Sequence, residues 1–257
     1  MVDNNKQDSE GEYKQWYQQD PVKASAKSKR KGKKLSMALE KRDWETANRL
    51  IDEGENVNFI NRVGTSNLEF AASGGNFEIF MKMVNKGAIF LPEGSNSNKV
   101  THHAARGGNV DIMRFLVDSG LDPHMLTMCE GSLMHHAVQS GNIEMIDYLL
   151  EIGIPFDTKD YYGQTPMYLA VCFGNVQLIE KFMGLGCDIF AIFRHDENLL
   201  KVAVAYEKPE AVKFLLDKGL DPFAKDQYGR SAYDTAKMRG NVEIQKMFED
   251  LQRSQER

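Results

Sequence analysis

The stretch 165-TPMYLAVCFGNVQLIEKFMGLG-186 decides the fold. Thr165 can cap a helix that opens on Pro166, a position where the missing N–H costs nothing and φ is already set. Gly174 then supplies a left-handed terminator and Asn175 a second cap. Val176, Leu178, Ile179, Phe182 and Met183 recur at helical spacing until Gly186 ends the second helix. The segment reads as a tight helical hairpin.

Outward from this hairpin the same pattern returns every 33 residues. One glycine series runs Gly54, Gly87, Gly120, Gly153, Gly186 and Gly219, and a second runs Gly75, Gly108, Gly141, Gly174 and Gly240, interrupted at Glu207. An alanine series has no gap: Ala38, Ala71, Ala104, Ala137, Ala170, Ala203 and Ala236. With 21 glycines in 257 residues, five further hits at one spacing have a chance on the order of 10⁻⁶ before trial periods and phases are counted, so coincidence is excluded. The alanines mark where first helices stack closely. Glu78, Asp111, Glu144 and Glu243 sit in the first turn of each second helix and suit its positive end. Segments such as 219-GLDPFAKDQYGRS-231 are turn-rich and aperiodic, which predicts protruding β-turn fingers.

These features resemble the ankyrin repeat. TPMYLA at 165–170, NVNFINRVG at 56–64, the NFE and NIE turns after Gly75 and Gly141, and the 33-residue period carry the resemblance over residues 35–257. It implies an all-α solenoid of seven helical hairpins with β-turn fingers: a degenerate N-terminal cap at 35–65, repeats at 66–98, 99–131, 132–164, 165–197 and 198–230, and a C-terminal cap at 231–257. The cap's outer face turns polar at Glu249, Asp250 and Gln252, as the end of a stack without a neighbour requires. Two repeats depart from the pattern. The finger 88-AIFLPEGSNSNK-99 has a Gly-Ser-Asn run and precedes VTHHA, so a looser edge is expected there. Repeat six loses its turn glycine to Glu207, but Pro209 fits the first turn of the following helix.

Residues 1–34 form a separate region. They hold nine Lys or Arg against five Asp or Glu, whereas residues 35–257 hold 23 against 32. The run 23-KASAKSKRKGKK-34 has seven positive charges and no apolar side chain larger than alanine, so it cannot bury enough surface to offset the entropy of ordering and is expected to be disordered. Lys27, Lys29, Arg30, Lys31, Lys33 and Lys34 are candidates for a nuclear-import signal or a phosphate contact, with a solvated leader as the bland alternative. No apolar leader and no run of about 18 apolar residues occurs, and three cysteines without a C-x-x-C pair suit a reducing compartment. An intracellular chain, cytoplasmic or nuclear and monomeric, is expected.

By resemblance, partners lie on the concave side, made of finger tips and the exposed face of each first helix. Tyr161, Tyr162, Arg194, His195 and Tyr228 fall on the tips; Cys172, Phe173, Tyr206 and Arg239 fall on the helices, with Arg230 beside them. Large rings at these positions concentrate between residues 161 and 228, and the corresponding positions before residue 161 carry none. Rings flanked by arginine match the composition of binding hot spots. The expected function is non-enzymatic recognition of a peptide segment or protein by a scaffold or adaptor, on the aromatic face of repeats four to seven. The alternatives are a chromatin or nucleic-acid-associated factor, using the basic tail or a methyl-lysine cage of Tyr161, Tyr162, Tyr206 and Glu197, or a regulatory or effector subunit that blocks a partner's surface. No cofactor or metal is expected: His102-His103 and His135-His136 lie one repeat apart, about 10 Å by helix packing, too far to share an ion. His102 and His135 are expected to hydrogen-bond neighbouring backbone. Cys129 and Cys172 lack the positioned base a nucleophile needs.

Overall fold

A computed structural model describes residues 32–89 and 99–255. Caps decide where its helices begin. Asp43, Asn76, Asn109, Asn142 and Asn175 each accept a backbone N–H in the first turn of the helix that follows, and Ser66, Thr165, Asn198 and Ser231 do the same for first helices. Each such bond satisfies a donor the helix cannot satisfy itself, at about 1 kcal/mol.

The chain divides into two compact units, residues 1–123 and 124–257. The first contains the hairpins α1 (Lys33–Glu40) with α2 (Trp44–Asp52), α3 (Asn67–Gly74) with α4 (Phe77–Asn85), and α5 (Lys99–Gly107) with α6 (Val110–Asp118). The second contains α7 (Leu133–Val138) with α8 (Ile143–Glu151), α9 (Pro166–Phe173) with α10 (Val176–Gly184), α11 (Leu199–Ala205) with α12 (Pro209–Asp217), and α13 (Ala232–Arg239) with α14 (Val242–Gln255). In the first unit α1, α3 and α5 pack in sequence; in the second, α7, α9, α11 and α13 do. Every residue of the alanine series is buried, where a small side chain lets neighbouring first helices pack closely. No strand forms among the described residues; isolated antiparallel bridges Ile60–Ser66 and Ile192–Asn198 close two fingers.

Hairpin α9–α10 follows its sequence reading closely. Thr165 Oγ1 accepts Tyr168 N–H, Gly174 takes φ 73°, and Asn175 Oδ1 accepts Leu178 N–H. The second helix stops at Gly184, with Gly186 at φ 100° and the Cys187 N–H bonded back to the Phe182 carbonyl. Pro209 opens α12, and Glu207 occupies the left-handed turn at φ 54° that glycine fills in five of the other hairpins and Arg42, at φ 58°, fills in the first. One expectation needs correction. Lys33 and Lys34, assigned to the tail, form the first turn of α1, because Leu35, Ala38 and Leu39 bury a face that draws them into the helix. The finger tip at 90–98 and the basic residues Lys27, Lys29, Arg30 and Lys31 lie outside the described residues.

Candidate functional site

Asx turns shape the fingers of the second unit. Asp160 Oδ1 accepts the N–H groups of Tyr162 and Gln164, and Asp226 Oδ1 accepts those of Tyr228 and Arg230. The turn residues between, Tyr161 with Tyr162 and Gln227 with Tyr228, are thereby pushed to the tip. The finger between them carries Phe193 where the others have aspartate. Its backbone instead makes a short 3₁₀ turn, Arg194–Asp196, with His195 and Asp196 both left-handed at φ 63° and 57°. With no aspartate at its root, Phe193 turns its ring onto Tyr168, centroids 4.9 Å apart.

The five rings expected on the recognition face are open to solvent. Tyr161, Tyr162, Phe173, Tyr206 and Tyr228 are between 46 and 61% exposed. They fall into groups. Tyr161 and Tyr162 stack edge to face at 5.4 Å, while Arg194 Nη2 donates to the Tyr161 carbonyl at 2.7 Å. His195 Nδ1 accepts Gln227 Nε2 at 2.7 Å and the Tyr228 hydroxyl at 3.3 Å, and the Arg230 guanidinium lies 5.1 Å from the Tyr228 ring centroid. Phe173 ends α9 and Tyr206 caps α11 one repeat later; Arg239 holds the matching place at the end of α13, also exposed.

Cys172 is corrected. It was placed on the exposed face, yet it is buried, with Tyr206 in hydrogen-bonding reach of its thiol. Burial pushes that thiol up to about 12, so it stays neutral and is no nucleophile. His195, one repeat on, bonds to the next finger and is no base for it. The charge of Glu197 reaches the same group: Tyr168 donates its hydroxyl to Glu197 Oε2 at 3.2 Å. Burial first and Glu197 second raise the Tyr168 phenol, and Cys172 first and burial second raise Tyr206. Of the four residues considered as a cage, Tyr206 and Glu197 thus share one cluster with Tyr168 and Cys172, and Tyr161 with Tyr162 pair with each other.

His135 does what was expected of it. Its Nε2 donates to the Gln164 carbonyl at 3.0 Å, and Nδ1 accepts from Ser132, so the ring is the neutral Nε2–H tautomer. Burial is the leading cause that lowers its basicity. Among the described residues no His, Cys, Asp and Glu cluster could hold a metal ion, and no helix is long and apolar enough to cross a membrane.

Compared with known families, the chain matches ankyrin repeats, in three copies, over residues 35–127 and 102–193. It belongs to the ankyrin-repeat family. A search of curated proteins returned no match. Ankyrin repeats are generally protein-interaction modules without catalytic activity. The ankyrin register also explains what sequence reasoning missed. His135, Tyr168 and Lys201 occupy one column at the start of successive first helices, and each reaches the following finger: the Gln164 carbonyl, the Glu197 carboxylate and the Asp226 carboxylate respectively. Lys201 and Asp226 side chains are only 11 and 2% exposed, and the hydrogen bond from Lys201 is the leading cause that brings Asp226 down to about 2. Reading the column downward from the histidine would have flagged Tyr168 and Lys201 as bridging residues.

Proposed function

We propose that this ankyrin-repeat protein is a non-enzymatic adaptor whose second unit holds a peptide segment or protein on the face bearing Tyr161, Tyr162, Phe173, Tyr206 and Tyr228, with Arg194, His195, Arg230 and Arg239 alongside. One observation carries this reading: five large rings stand open to water in consecutive repeats although the core beneath them is closed by Ala170, Val171, Ala203 and Val204. Exposed rings of this kind bury much area on binding at little cost in side-chain entropy. Two of the fingers that present them are fixed by Asx turns, so the surface is preorganised.

The test replaces Tyr162, Phe173 and Tyr206 together by alanine. The melting temperature is expected to stay nearly constant while partner capture, followed by mass spectrometry, is lost. A loss of about 3–5 kcal/mol for each ring, as for buried aromatics, would show that they belong to the core and sink the proposal.

A further inference from the structure

On the ring-bearing face of the second unit Glu197 forms no ion pair among the described residues, and Lys201, Arg194 and Arg230 are already engaged elsewhere. Glu197 is partly buried and accepts one hydrogen bond, from Tyr168, but among the described residues it forms no ion pair. Lys201 pairs with Asp226, Arg230 with Asp226 and the Tyr228 ring, and Arg194 with the Tyr161 carbonyl. Around Glu197 stand Tyr168, Phe193 and Tyr206; Tyr168 packs edge-on against Phe193, and Tyr206 is half exposed. Aromatic faces carry negative quadrupole density, so rings beside a carboxylate attract a cation and disfavour an anion. The unit as a whole adds to this, with 14 Lys or Arg against 20 Asp or Glu in residues 124–257.

We infer that Glu197 anchors a lysine or arginine side chain of the segment bound on this face, the cation seated against Tyr206 with its donors on the free carboxylate lone pairs. This rests on the reading of the face as a peptide-binding surface. A partly dehydrated carboxylate gains most from a charged donor, because a charge-assisted hydrogen bond is about twice as strong as a neutral one. The stem of either side chain would lie along the rings. An acidic segment meets repulsion from Glu197 and from the unit's net charge, so the surface selects a basic partner.

The experiment selects a random 12-residue peptide library displayed on phage against the full chain, then measures the enriched peptides by fluorescence anisotropy. The expected peptides share a lysine or arginine. Its replacement by norleucine or citrulline weakens binding about tenfold or more, Glu197→Gln does the same, and the two losses do not add. Tyr168→Phe removes the same internal hydrogen bond but keeps the charge, so it shows the structural cost of losing that bond while binding persists. Should Glu197→Gln not fold, the norleucine and citrulline peptides decide alone. Enriched peptides without a basic residue, or norleucine and citrulline peptides that bind as tightly as their parents, overturn the inference. If Tyr206→Ala and Phe173→Ala abolish binding while Glu197→Gln leaves it intact, the face still binds peptides and only the cation anchor falls. If nothing is enriched, or none of these variants matters, both readings fall.

Discussion

At the scale of single residues, the departures from the repeat carry the most information, because every other repeat is a control. Glu207 holds the left-handed turn that Gly75, Gly108, Gly141, Gly174 and Gly240 hold elsewhere. A residue with a Cβ loses about 1–2 kcal/mol in that conformation, and glycine returns roughly half of the gain through the entropy of its unfolded chain. Glu207 is exposed, so nothing else is lost with its side chain. Glu207→Gly should therefore stabilise the protein by about 0.5–1 kcal/mol, read as a higher midpoint in urea with an unchanged slope. A lower midpoint would mean that the carboxylate makes an interaction the geometry does not show. Asp196 is also left-handed, but its strain accompanies the inward turn of Phe193 onto Tyr168 beside the candidate anchor. Backbone strain kept next to a recognition surface is commonly functional.

Between first helix and finger, the unit of coupling is the bridge that α7, α9 and α11 each send to the next finger. The 33-residue period, the caps and the buried alanines made the hairpins and their order legible, because each depends on the local chain alone. The exposure of Tyr161, Phe173 and Tyr206 was legible as well, through register. The grouping of these rings was not. It depends on Phe193 replacing a finger aspartate, on Tyr168 replacing a histidine, and on a thiol at Cys172 turned inward, and none of these alters the periodicity. The His135 bridge yields a test. Its ring is buried and neutral, and its acidity when protonated exceeds that of a free histidine, so the unfolded chain binds the proton more readily. The stability it contributes is complete above the ordinary histidine value of about 6.5 and is lost as pH falls below it. Thermal melts between pH 7.5 and 5 should show a falling melting temperature whose slope is reduced in His135→Gln. An equal slope in both proteins would show that the bridge does not titrate with folding.

Over the whole molecule, charge sets the repeats apart from the N-terminal region. Residues 32–257 carry 25 Lys or Arg against 32 Asp or Glu, while residues 1–31 carry seven against five, five of the seven between Lys23 and Lys31. A repeat body with excess negative charge repels a phosphate backbone, so any affinity for duplex DNA must come from the N-terminal region. Neutralising phosphates releases counterions and makes log K fall with log salt at about 0.9 per contact, so seven cations allow a slope no steeper than about −6. Because α1 begins at Lys33, a truncation ending at Lys31 removes this charge and spares the first hairpin. Filter binding of the full chain should weaken steeply between low and physiological salt, and the chain starting at Gly32 should retain no DNA at either. Selected peptides should bind both chains equally, since the site proposed for them lies wholly within residues 124–257. Salt-insensitive DNA retention by the truncated chain would place a nucleic-acid surface on the repeats and break this division of labour.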